Sequence, residues 1–329
     1  MAKSDFQKAE SQLQIDAEYY NTLDIGGFSR MLKDPSYCYK FYWLEAIVKL
    51  ISEDRHEVSY DEMINEMISN AWYSVLEFHV HLSGIWGDGE IKDSLEKAVL
   101  KLYKLSGLPA NASKVEIKNK IEEFDKELHE EKMVLTKNVP YKALSGFANR
   151  SSECIDLNSS AGRMIAYYNR LNNRGTLLPY TFDSQKGLER KIIFQEAWIQ
   201  MIQDQMTAIL GWIQYEKVRW LQNNNPEVPG LVYKLMPLDD KMRKLAHVRR
   251  LWEGILDTTS ITDVFKHEPI KKESYDVDHF IPWSFVMNDE LWNLMPMDSS
   301  LNSSKSNRLP QWDRFFARFA ENQYIMYEL

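Results

Sequence analysis

Tyr275-Asp276-Val277-Asp278-His279-Phe280-Ile281-Pro282-Trp283-Ser284 is the stretch on which the reading of this chain turns, with Leu291-Trp292-Asn293-Leu294 and Asn302-Ser303-Ser304-Lys305 close behind it. The apolar run Val277 to Ile281 predicts a strand ended by Pro282, and Leu291 to Met295 predicts a second, joined through Met287-Asn288-Asp289-Glu290. Asp298 or Ser299 is placed to cap a short helix that carries Asn302 and Lys305 on one face at i and i+3, with Pro310 as its stop. Two strands and one helix hold too little core to stand alone, so this unit is expected to lean on the rest of the chain.

The residue types suit one chemistry. Hydrolysis of a phosphodiester needs an activated water, neutralisation of phosphate charge and help for the leaving oxygen, and a hard divalent cation supplies the last two. Magnesium takes oxygen ligands and keeps several waters, so one or two protein oxygens suffice. Asp278 offers a carboxylate and Asn302 an amide oxygen. A histidine with an ordinary pKa, ~6.5, is largely neutral at cellular pH and able to accept a proton, which suits His279 to the role of base. Neighbours on a regular strand face opposite ways, so Asp278 and His279 can serve one site only if the strand bends or ends at that point. Lys305 then faces the same phosphate as a point charge.

Working outward, the first 260 or so residues read mostly as helix. Phe41, Leu44, Val48 and Ile51 fall at helical spacing, as do Met63, Met67, Ile68, Trp72 and Leu76 in a helix expected from Tyr60 to His81. A short helix is expected over Asp93 to Leu105, and Ser113-Lys114-Val115-Glu116 has the pattern of a capping box. Val139 to Asp183, with Pro140, Gly146, Pro179 and the run Met164-Ile165-Ala166-Tyr167-Tyr168, reads as loops with short strands or turns. Helix is expected again from about Leu188 to Leu221 and from Asp239 to Leu256. The polar connector Lys266 to Glu273 sets the expected boundary: 1–265 helical, 266–329 the metal-binding unit. The fold class is therefore mainly α, a large helical N-terminal region with a small C-terminal unit of two strands and a helix.

Composition narrows the classes further. The 329 residues are 44% hydrophobic and 12% aromatic, which is globular. Two cysteines, Cys38 and Cys154, build neither a disulfide framework nor a four-cysteine zinc site, and a reducing cytoplasmic setting fits them. The polar start Met1 to Gln14 is not a secretory leader, and no apolar run reaches the ~18 residues that span a bilayer. Net charge is −8, which weighs against indiscriminate DNA binding, yet Lys241-Met242-Arg243-Lys244, Arg249-Arg250, Lys266-His267 and Lys271-Lys272 crowd basic groups just before the motif. His79 and His81 read as core or interface histidines, Trp198, Trp212, Trp220 and Trp252 as core, and Gly84 to Gly89 as a turn. The aromatic run Tyr37 to Trp43 suits either a buried helix or a partner surface.

Tyr275 to Pro310 resembles the HNH (ββα-metal) endonuclease family, most closely the Asp-His/Asn/Asn version found in the HNH domain of Cas9. The resemblance implies that Asp278 and Asn302 hold Mg²⁺ or Mn²⁺, that His279 is the general base, that Asn293 holds the loop and orients the histidine, and that Lys305 is the following basic residue. It implies a DNA endonuclease that nicks one strand per site. The layout is similar to small bacterial HNH proteins of phage-defence or restriction systems, among them the HNH component of Zorya, and implies DNA and protein partners of such a system. The competing expectation is a catalytically silent HNH-fold protein that binds DNA or a regulatory partner.

Overall fold

The computed structural model describes residues 13–32, 35, 37–83, 93–148, 155–175, 177–226, 228, 230–235, 245–286, 289–305 and 308–329, with the backbone alone at 233, 283, 284 and 302–304. Cys154, the glycine run at 84–89 and the basic cluster at 241–244 lie outside the described residues. The fold is mainly α, in two compact units, Met1–Glu227 and Val228–Leu329. The boundary expected at 265/266 falls inside the second unit, because a helix N-terminal to it shares a core with the motif strands. Among the described residues no helix is long and apolar enough to cross a membrane.

In the first unit α1 (Ile25–Arg30) precedes α2 (Tyr39–Ser52), which is buried almost all round from Phe41 to Ile51. A helix apolar on every side belongs in the middle of a core, which makes Phe41, Tyr42 and Trp43 of the aromatic run packing residues, while Tyr37 is exposed. Its one buried acid, Glu45, receives the Lys217 ammonium. β1 (Glu57–Ser59) leads into α3 (Tyr60–Phe78), started by a capping box in which the Ser59 hydroxyl accepts from the Glu62 N–H at 3.1 Å while Glu62 accepts from the Ser59 N–H at 2.8 Å. α3 stops three residues earlier than the periodicity predicts, where His79 turns left-handed at φ 54°. α4 (Ser94–Ser106) is capped by Asp93 and closed by Gly107 at φ 64°. α5 (Lys114–Glu123) bears the predicted capping box, and α6 (Asp125–Thr136) and α7 (Val139–Lys142) follow.

Two expectations are corrected here. Met164 to Tyr168 lies in α8 (Ala161–Asn173), where buried Met164, Tyr167, Tyr168 and Leu171 keep a 3-1-3 helical rhythm that a locally strand-like composition concealed. Conversely, the residues after Leu188 begin as strand. β2 (Tyr180–Phe182) and β3 (Lys191–Phe194) join β1 in an antiparallel sheet ordered β1-β3-β2, before α9 (Glu196–Asp204) and α10 (Met206–Asn224). Trp198, Trp212 and Trp252 are buried, as read.

The second unit runs α11 (Ala246–Thr258), β4 (Tyr275–His279), α12 (Trp283–Val286), β5 (Leu294–Asp298), α13 (Ser299–Lys305) and α14 (Trp312–Glu328). β4 and β5 pair antiparallel, from Tyr275 opposite Asp298 to His279 opposite Leu294. Alternation along β5 sends Leu294 into a cluster with Trp252, Ile255, Tyr275 and Met326, and Met295 and Met297 into another with Val264, Phe280 and Phe319. The ribbon is thus covered on both faces, which is why β5 is an unbroken apolar run instead of an alternating one. Each such fully buried apolar side chain contributes about 1.5–3 kcal/mol. The covers are α11 and α14 of the same unit, so the support expected from the helical region is partly local.

Candidate active site

β4 ends at the residues that matter. Beyond His279 the Phe280 N–H still reaches the Asn293 carbonyl at 2.8 Å, and then the Asn293 side chain replaces the partner strand. Its Oδ1 accepts from the Ile281 N–H at 2.8 Å, and its Nδ2 donates to the Ile281 carbonyl at 2.9 Å. Pro282 has no N–H to continue a ladder. Asn293 is fully buried with both ends of its amide used, a staple that fixes where the strand stops. The strands lie two residues before and three after their expected positions, because Leu291–Asn293 forms a tight 3-10 turn.

That stop lets adjacent residues meet. His279 Nδ1 stands 3.9 Å from Asp278 Oδ1, an electrostatic contact longer than a hydrogen bond. Lys305, from α13, donates to Asp278 Oδ2 at 2.5 Å and also to the His279 carbonyl. Burial pushes the Asp278 carboxyl up, but the neighbouring His279 and Lys305 outweigh it and hold the group below the usual carboxylate range. His279 is 3% exposed, and its Nε2 lies 2.9 Å from Asp289 Oδ1.

α13 is aimed by its first turn. Asp298 caps it by accepting from the Ser300 N–H at 2.9 Å, and Lys266 sits 2.8 Å from the same carboxylate. Lys266 and Ser300 together push Asp298 down to about 2. The Asp298 N–H in turn donates to buried Asp263 at 2.8 Å. Asp263 Oδ1 also accepts the N–H groups of Phe265 and Lys266 at 2.7 and 2.8 Å. The supposed connector at 266–273 therefore begins as an ordered loop, tied across by Thr262 opposite Pro269.

The structure brings Asp278, His279, Asn293 and Lys305 together. The backbone of Asn302 lies in α13 one turn before Lys305, and its side chain is outside the described residues. Among the described residues no group of three or more His, Cys, Asp or Glu is arranged to hold a metal. An ionised, partly exposed carboxylate is nonetheless the donor a hard divalent cation takes, and such a cation needs few protein ligands. Sequence reasoning missed Asp263, Asp289 and Gln323, the last donating to the Leu294 carbonyl at 2.9 Å from a buried position. An acid ten residues beyond the histidine was the available signal for Asp289. Beside Lys305 opens a cleft of about 370 Å³ lined by Phe265, Leu301, Arg308, Arg314 and Phe315.

Residues 263–311 match the family model described as HNH endonuclease, a span that starts at the Asp263 latch and takes in both strands and α13. Nucleases of this family generally depend on a divalent metal. No curated protein and no solved structure matches the chain.

Proposed function

We propose, from the premise that residues 263–311 form an HNH endonuclease domain, that this protein hydrolyses DNA phosphodiester bonds, nicking one strand per site, as a component of bacterial phage defence. The observation that carries the reading is the convergence of Asp278, His279 and Lys305 where the β4–β5 ribbon ends. A single set of these groups handles one phosphate at a time, which supports nicking. The defence role rests on the layout, helices followed by a C-terminal HNH unit, and the helical unit is assigned to DNA or partner binding.

In this mechanism His279 takes a proton from water, the water oxygen attacks phosphorus, the opposite P–O bond breaks and the leaving oxygen acquires a proton from solvent. Asp278, with Asn302, would hold Mg²⁺ or Mn²⁺, which when bound polarises the phosphoryl oxygens and neutralises charge on the leaving oxygen. Lys305 keeps Asp278 ionised and in place, and adds positive charge beside the phosphate. The cleft's arginines and phenylalanines offer the flanking strand cationic and stacking surface.

Supercoiled plasmid incubated with the protein and Mg²⁺ should become nicked, and Asp278→Asn and His279→Ala should abolish the nicking. Equal activity in both variants would remove these residues from catalysis. Wild-type protein that binds DNA without ever cutting DNA or RNA would leave the silent-binder reading in its place.

A further inference from the structure

We propose that the cleft beside Lys305 holds one unpaired nucleotide of DNA, so that the protein takes single-stranded or locally opened DNA in preference to an intact duplex. Setting that nucleotide next to the scissile phosphate rests on the nuclease reading above. Phe265 and Phe315 line the cleft, their ring centroids 4.9 Å apart and inclined at 63°, each packed against the core around Phe280 yet only partly buried. The Arg314 guanidinium lies 4.9 Å over the Phe315 ring, and Arg308 stands on the same rim. Both arginines are exposed, and among the described residues neither pairs with a carboxylate and no acid lines the cleft. In a chain of net charge −8, a concave patch that gathers Lys305, Arg308 and Arg314 without an acid is complementary to an anion.

The chain builds this rim locally. The Asp263 carboxylate holds the Phe265 N–H at 2.7 Å, the Arg308 N–H donates to the Lys305 carbonyl at 3.2 Å where α13 ends, and the Phe315 N–H donates to the Gln311 carbonyl at 3.1 Å where α14 begins. The chemistry of the lining then narrows the occupant. An apolar peptide would leave the guanidinium groups without counter-charge, and a bare anion would leave the rings unused. A nucleotide meets both needs: its phosphate accepts paired hydrogen bonds from a guanidinium, and its base stacks on a ring or on a guanidinium plane. In a duplex the flat face of each base is covered by its neighbours, so only a base out of the stack can present it. Lys305 lines the cleft and also donates to Asp278 Oδ2 and to the His279 carbonyl, so one side chain joins the cleft to the candidate site.

The test uses the full chain without metal, titrated by fluorescence anisotropy against one labelled DNA sequence, offered single-stranded and as a blunt duplex. The wild type should bind the single strand more tightly. Phe315→Leu, which keeps the apolar packing and loses the ring, should weaken single-strand binding about 5–100-fold and leave duplex binding unchanged. Arg314→Lys, at an exposed position, keeps the charge and loses the plane, and should move the same way by a smaller factor. Arg308→Ala should lower the salt dependence on the single strand by a slope of about 0.7. Equal wild-type affinity for the two DNA forms overturns the proposal, as does tighter binding of an RNA strand of the same sequence. Single-strand binding untouched by Phe315→Leu and Arg314→Lys, the result expected if the cleft serves a protein partner, overturns it as well. A wild type that passes these binding tests yet never cuts DNA defeats the nuclease reading alone. One that nicks supercoiled plasmid and fails them defeats this proposal alone.

Discussion

Asp93 and Asp278 are acids set into different units, and their surroundings push them opposite ways. Asp93, fully buried, caps α4 by accepting the Glu96 N–H at 2.9 Å; burial, with the like charge of Glu96 adding to it, raises its carboxyl to about 6 despite help from amides and Tyr39. Asp278 is also substantially buried, yet a lysine and a histidine hold it below the usual range. The first acid serves the scaffold, and its ionised form is a cost of that service. The second is kept ionised while its side chain stays partly exposed, as the proposed metal-binding role requires. Burial alone does not single out a candidate chemical carboxylate; burial with a lysine alongside and part of the group still exposed is the stronger pointer.

The largest effect that separates the two is catalytic. His279→Ala removes the proposed base beside Asp278 and should slow nicking by about 10²–10⁴-fold, whereas no substitution at Asp93 should approach that in a plasmid assay. Next is stability against pH. The folded state keeps a proton on Asp93 that the unfolded chain has already lost above its ordinary ~3.9, so stability should fall as pH rises through about 6 and then level off. The decline is on the order of 3 kcal/mol, and Asp93→Asn, which keeps the cap, should flatten it in amide hydrogen exchange across α4. For Asp278 the sign reverses: its contribution is present above the ordinary carboxylate value and is lost only as pH falls through the folded one.

How much of this could be read without coordinates differs sharply between the two acids. That Asp278, His279, Asn293 and Lys305 would lie together was legible because few residue types in few orders suit the chemistry expected of them. Asp93 was legible only as a helix start, since nothing local announces that Tyr39 and Glu96 will enclose it. The same limit hid Asp289, which reads as an ordinary turn residue until the register is known, and α14, whose Phe319 and Met326 acquire meaning from the ribbon they cover. Met164 to Tyr168 misled for the opposite reason: its composition favours strand, and tertiary packing made it helix.

Two smaller substitutions sharpen the contrast between site and scaffold. Asn293→Ala strips both partners from the partly buried Ile281 backbone and should cost about 1–3 kcal/mol, seen as a lower Tm together with lost nicking. Ser59→Ala breaks the α3 capping box and should cost about 1 kcal/mol with the nicking rate unchanged.

The two-sided cover over the β4–β5 ribbon has a consequence for how errors would appear. Sliding one strand past the other by a single position would exchange the occupants of the two apolar clusters, a loss the whole domain would feel. Sliding by two would preserve both clusters' polarity but displace the imidazole by about 6.6 Å, far from its lysine and its second acid. The ribbon behaves like a vernier, in which greasy side chains keep the scale aligned so that a few polar atoms can coincide.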